Sequence, residues 1–110
     1  KQAPELRRTF SEVLSSYLRF GYSRELLIST DINSWRAQYE KIDNVLNNLP
    51  SQVIVVDPAD IFCERDSCFS AIGGLPAYYD THHMSLIGTD AVAKKIFDAL
   101  EKRQKTGEAP

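Results

Sequence analysis

Apolar residues recur at three- and four-residue intervals near the start of the chain: Leu6, Phe10, Val13, Leu14, Tyr17 and Leu18. That spacing lays one apolar stripe along a helix and predicts an amphipathic helix over 5–20. Gly21 is placed to stop it. Between Tyr22 and Ile28 the patch Leu26-Leu27-Ile28 fits either a strand or a helical turn. Ser29-Thr30-Asp31 has the chemistry of a helix cap. A second helix is expected over 32–48, with Trp35, Tyr39, Ile42, Leu46 and Leu49 on one face. At helical spacing this aromatic stripe reads as core rather than as a ligand platform.

Pro50-Ser51 breaks that pattern, and Gln52-Val53-Ile54-Val55-Val56 follows as a strand. Its consecutive β-branched residues predict burial on both faces, as in a parallel sheet. Asp57-Pro58 ends it, because proline cannot continue the ladder. Pro58 to Phe62 fits one helical turn, and Ala71 to Ala77 is a turn-rich connection holding Gly73-Gly74 and Pro76. Tyr78-Tyr79 reads as a very short strand or an extended segment. A last helix is expected from near Ser85 to about 104, burying Ala91, Val92, Ile96, Phe97 and Leu100. Lys102, Arg103 and Lys105 suit its C-terminal dipole and read as a solvated helix end. Residues 106–110 are expected to be a flexible tail.

The order helix, strand, helix predicts an α/β fold. A strand buried on both faces needs neighbours, and one convincing strand supplies none. The sheet is therefore expected to be completed by further sequence or by a second copy of the chain. The length of 110 residues allows one domain. With 43% hydrophobic and 25% charged residues, a disordered or collagen-like chain is excluded. Thirteen Lys+Arg against fifteen Asp+Glu leave a formal charge of −2, which offers no electrostatic footprint for nucleic acid. The longest strongly apolar run, Val53 to Val56, is far short of the roughly 20 residues a membrane span needs. Lys1-Gln2-Ala3-Pro4 shows neither an initiator Met nor a signal-peptide stretch, so a piece of a longer protein, a single partial domain over 1–110, is expected.

Cys63 and Cys68 stand five apart. Three readings are open. A disulfide closing this loop would stabilise by about 2 kcal/mol and imply an oxidising compartment. A zinc site would ordinarily need further Cys or His pairs, and the only histidines are the adjacent His82 and His83, which rarely ligate together. Two unrelated thiols are the third reading.

The densest chemistry is Tyr78-Tyr79-Asp80-Thr81-His82-His83-Met84-Ser85, between a turn-rich loop and a helix start. Asp80 stands three before His83. A carboxylate there can bond one imidazole nitrogen and leave the other free to take a proton from a nucleophile. Alternatively, Asp80 caps a turn and the histidines are surface or packing residues.

Taken together, these pieces resemble the C-terminal part of an SGNH-type esterase/acyltransferase domain. The likeness is to the extracytoplasmic SGNH domain fused to bacterial membrane acyltransferases of the acyltransferase-three family. It rests on Val55-Val56-Asp57-Pro58-Ala59-Asp60-Ile61-Phe62-Cys63, then Cys68, then Tyr78 to Ser85, and Gly88. Met84 stands where that family usually has Leu. The likeness covers residues 53 to about 100; Arg36 fits loosely, and residues 1–30 carry nothing diagnostic.

The resemblance implies a three-layer, flavodoxin-like α/β fold, helix-rich with a short parallel sheet. It implies that Asp80 orients His83, that His83 is the general base and acid, and that Cys63 and Cys68 form a disulfide. Tyr79 and His82 become substrate-facing candidates without an assigned role. The implied parent O-acetylates a cell-surface polysaccharide such as lipopolysaccharide, on the periplasmic or cell-surface side of a bacterial inner membrane. No metal or cofactor is implied; the acyl donor would come from the parent's membrane acyltransferase domain, and a homo-oligomer could complete the sheet.

The departures matter as much. That family's nucleophile lies in a Gly-Asp-Ser block, and none of the chain's serines (11, 15, 16, 23, 29, 34, 51, 67, 70 and 85) has that setting. Asn33, Asn44, Asn47 and Asn48 lack the Gly-x-Asn context of its oxyanion hole. Ser85 follows His83 too closely and reads as a helix N-cap. Two members of a triad are present without the third, so the isolated chain is expected to be inactive. An esterase or deacetylase fragment, or a non-catalytic disulfide-pinned interaction module, are the alternatives.

Overall fold

The computed structural model describes residues 1–21 and 28–107. Leu26 and Leu27, and residues 108–110 of the expected tail, lie outside the described residues.

Helix α1 spans Phe10–Phe20. The Thr9 hydroxyl accepts the Glu12 N–H at 3.2 Å and caps its start. Gly21, at φ +81°, ends it by donating its N–H to the Tyr17 carbonyl at 2.9 Å. Residues 5–9 stay outside the helix because their backbone is committed elsewhere. The Leu6 N–H donates to the Thr81 carbonyl at 2.7 Å, and those of Arg7 and Arg8 donate to the Ser29 carbonyl.

Strand β1 (Ile28–Asp31) leads into α2 (Ile32–Gln38), whose first turn is capped by Asp31 accepting the Asn33 N–H at 2.7 Å. The single helix expected over 32–48 is broken at Tyr39, and α3 (Glu40–Asn47) follows. The Tyr39 hydroxyl donates to Glu5 Oε2 at 3.1 Å, tying this break to the N-terminal segment. Trp35 is buried as expected, but Ile42 is 56% exposed and Asp43 takes a buried position. Beyond the break the stripe is largely uncovered by the described residues: Ile42 and Leu49 are exposed and Leu46 is half-buried.

The strand expected at 52–56 does not form. Val53–Val56 belongs to no ladder, and both sheets are antiparallel rather than parallel. A parallel ladder needs a neighbouring strand, and among the described residues none lies there. Side chains and the first residue take this segment's carbonyls instead. The Lys1 amino group donates to Val56, Lys95 to Asp57, and Arg103 to Ser51 and Gln52 at 3.0 and 3.2 Å. Arg103 therefore has a docking role that a solvated helix end does not describe.

The expected turn at Pro58–Phe62 forms as α4 (Ala59–Phe62). Strands β2 (Cys63–Glu64) and β3 (Ser67–Phe69) make a hairpin, and β1 pairs with β3 to give the order β1-β3-β2. The turn-rich connection is a second hairpin, β4 (Ala71–Ile72) and β5 (Leu75–Pro76). Its Gly73 and Gly74 sit at φ +57° and +80°, the pair of positive angles that a tight two-residue turn requires. Helix α5 (Leu86–Lys105) closes the chain.

Leu6, Phe62, Ala77 and Tyr78 form the buried core, with Ile61, Ile72, Met84 and Val92 packed around them. The Phe62 and Tyr78 rings lie 5.2 Å apart. Only the N-terminal half of the α5 stripe is used this way: Val92 reaches the core, while Phe97 is 68% exposed and Ile96 and Leu100 are also exposed. The molecule is correspondingly long, 53 × 27 × 21 Å, with a radius of gyration of 15.8 Å against about 13 Å for a compact chain of this length. The α/β mixture stands, but a three-layer parallel arrangement is not what these residues build.

Candidate active site

The segment between Ala77 and Ser85 is closed on itself by backbone bonds. The Ser85 N–H donates to the Ala77 carbonyl at 2.9 Å, and the Tyr79 N–H to the His83 carbonyl at 2.8 Å. Tyr78 and Met84 face each other across an antiparallel bridge. Residues 79–83 are thus the tip of a small loop with a rigid base.

That base is anchored twice. On one side α5 presses against it: a Cβ on Gly88 would lie 2.4 Å from the Ala77 carbonyl oxygen, so only glycine permits this approach. The Ser85 hydroxyl donates to the Pro76 carbonyl at 2.7 Å and accepts the Gly88 N–H at 3.3 Å, the N-cap expected from the sequence. On the other side runs the N-terminal segment. The Tyr78 hydroxyl donates to the Pro4 carbonyl at 2.8 Å, and Leu6 bonds Thr81. Burial pushes the Tyr78 phenol well above its ordinary pKa.

At the tip, Asp80 and His83 meet. His83 Nδ1 lies 2.8 Å from Asp80 Oδ2. Asp80 Oδ1 accepts the backbone N–H groups of His82 at 2.9 Å and His83 at 2.8 Å. The His82 N–H, then the His83 ring and backbone N–H, hold the Asp80 carboxyl well below the usual carboxylate range. A permanently ionised, oriented carboxylate is what an imidazole needs to keep one tautomer and to carry a proton. Asp80 does cap a turn, and it also pairs with His83; the two sequence readings are not exclusive. Both side chains are open to solvent, His83 at 66% and Asp80 at 48%.

The His82 and His83 rings lie against each other, with centroids 4.1 Å apart and planes tilted by 44°. Its Nδ1 is 3.7 Å from Asp80 Oδ1 and 3.2 Å from the Thr81 hydroxyl. Tyr79 is exposed on the same loop, held through its backbone. Cys63 and Cys68 sit opposite each other in the β2–β3 pair and are joined by a disulfide, which removes the cysteine-zinc and free-thiol readings. Cys63 packs against the core that carries Tyr78.

Two features escaped the sequence. Asp57, read there as a strand end and as part of the family likeness, accepts the Ala59 N–H at 3.0 Å and pairs with Arg36 at 3.0 Å and Lys1 at 3.7 Å. Burial alone would raise its pKa, but the Ala59 N–H, Arg36 and Lys1 together lower it. The Asp-Pro-Ala turn signals the first bond; nothing in the sequence signals the two cations. The clasp by Pro4 and Leu6 is equally silent, because a backbone carbonyl and N–H carry no residue signature. An apolar groove of about 480 Å³ lies apart from the loop, between α1 and β3–β4, lined by Phe10, Val13, Leu14, Tyr17, Phe69 and Ala71.

Comparison with curated proteins and with solved structures gives no match. The family model of the SGNH domain, described as fused to AT3 domains, matches residues 1–98. The matched range includes the N-terminal segment that clasps the Asp80–His83 loop. The chain belongs to the family of SGNH domains fused to AT3 (acyltransferase-3) domains.

Proposed function

We propose that this domain supplies the Asp and His of a Ser-His-Asp triad in a membrane-associated acyltransferase that O-acetylates a cell-surface polysaccharide. The observation that carries the reading is the Asp80–His83 pair, with its carboxylate fixed by three hydrogen bonds. A serine from elsewhere in the parent attacks the carbonyl of the acyl donor. Its proton passes to His83 Nε2, and Asp80 steadies the resulting imidazolium through Nδ1. The proton then goes to the leaving group, and an acyl-serine remains. In the second half, His83 takes the proton of the acceptor sugar hydroxyl as that oxygen attacks. Collapse releases the sugar ester and returns the proton to serine. Donors elsewhere in the parent stabilise the oxyanion. Tyr79 and His82 flank the pair and face the acceptor.

The disulfide is the support for a periplasmic or cell-surface location, since such bonds persist in oxidising compartments. No helix among the described residues is long and apolar enough to cross a membrane. The AT3 fusion that defines the family is the membrane context. We place the parallel sheet expected from the sequence against Val53–Val56, with its further strands supplied by the parent or by a second copy. Val53 is exposed, and this segment has no strand partner among the described residues.

His83→Ala in the intact parent tests the reading. Acyl transfer to polysaccharide should fall by several orders of magnitude, while membrane abundance holds. Retained transfer would remove the catalytic role and leave an interaction module.

A further inference from the structure

We propose that Asp80, His82 and His83 form a binding site for a zinc ion. Two imidazoles and one carboxylate are a ligand set that zinc takes, with a fourth position left to water. Each of the three residues offers a ligand atom within 4.8 Å of the others. Tetrahedral zinc, with bonds near 2.0–2.1 Å, wants its ligand atoms about 3.3 Å apart. His82 Nδ1 and Asp80 Oδ1 are already 3.7 Å apart. His83 Nδ1 faces the other oxygen, Oδ2, at 2.8 Å, so one ring must shift for a single carboxylate oxygen to serve the ion together with both imidazoles. Both imidazoles are more than half exposed to solvent, which leaves room for small ring rotations.

The carboxylate is held in place beforehand by the two backbone N–H groups on Oδ1. The tilted rings bring their Nδ1 atoms to the two oxygens of the same carboxylate, which adjacent histidines seldom do. The ion displaces the contact between the Thr81 hydroxyl and His82 Nδ1. It also takes the proton's place between His83 and Asp80. On the acyl-transfer reading, zinc therefore inhibits the enzyme by separating His83 from its orienting carboxylate. That consequence rests on the proposed function; the binding itself does not.

Calorimetric titration of the oxidised chain with zinc chloride, in a buffer that does not chelate, tests the proposal. One ion should bind per chain. His82→Ala should weaken binding at least roughly ten- to hundredfold, since losing a ligand costs no less than losing a partner behind one. Asp80→Asn should weaken it comparably. Imidazole signals of His82 and His83 should both move with zinc in NMR spectra, and circular dichroism should show both variants folded. A flat titration overturns the site, and so does zinc binding that survives His82→Ala. Binding that appears only after reduction would assign the zinc to Cys63 and Cys68 and overturn it equally. The acyl-transfer reading fails separately, through retained activity of His83→Ala in the parent.

Discussion

Replacing Gly88 with alanine adds one carbon atom at the point where α5 touches the loop base. That carbon would lie 2.4 Å from the Ala77 carbonyl oxygen and 3.3 Å from both the Ala77 carbonyl carbon and Met84 Cβ. The tightest obstacles are backbone atoms, so no flexible side chain can give way. Ala77 is fully buried, and its carbonyl accepts the Ser85 N–H. Three effects compete. Alanine favours the helix over glycine by about 1 kcal/mol. Overpacking costs about 1–3 kcal/mol. Loosening the Ser85–Ala77 bond costs about 1–3 kcal/mol, as for a buried donor left without its partner. The sum is a loss of about 1–5 kcal/mol. Urea unfolding followed by circular dichroism should show the midpoint drop. Ala77 and Met84 bracket the loop, so the His83 imidazole resonances should shift in the same variant. A Gly88→Ala protein as stable as the wild type, with unmoved His83 signals, would refute the claim that this contact sets the loop.

In the intact parent, Asp80→Asn should lower acyl transfer roughly 10³–10⁴-fold by losing the tautomer that Asp80 selects, read by product formation at equal enzyme abundance. Tyr78→Phe leaves the Pro4 carbonyl without its donor and should cost about 1–3 kcal/mol at neutral pH in urea melts. Because the folded Tyr78 pKa is raised, its contribution is complete below the unfolded value near 10 and is lost as pH rises beyond it. The wild type should therefore lose stability above about pH 10 more steeply than Tyr78→Phe. Cys63→Ser with Cys68→Ser should cost about 2 kcal/mol on the loop-entropy estimate, and an unchanged midpoint would show that the hairpin holds without the bond.

Local chemistry was readable from the chain and long-range partnership was not. Asp80 and His83 stand three apart in one short loop, so spacing alone predicts their meeting. Ser85 as an N-cap, Gly21 as a stop and the two-glycine turn are likewise decided within a few residues. The antiparallel sheet was missed because its strands are two to four residues long, too short for an alternating pattern. Its register joins Ile28 to Phe69, a pairing that no local signal announces. Val53–Val56 carries the composition of a central strand, yet a ladder depends on its neighbours as much as on itself. The stripes on α3 and α5 failed similarly: periodicity marks an apolar face, and only tertiary contact says whether anything covers Ile42 or Phe97.

The clasp between the N-terminal segment and the loop also sets an order in time. Pro4 and Tyr78 are 74 positions apart. At roughly 5–20 residues per second, a ribosome takes about 4–15 s to make the partner that Pro4 waits for. Closing so long a loop is among the slower steps a small chain can take. The Asp80–His83 pair therefore cannot gain its support from Pro4 until Tyr78 and the loop that follows it have been made. Helix α1 can form well before the loop exists, whereas α5 follows the loop in the chain.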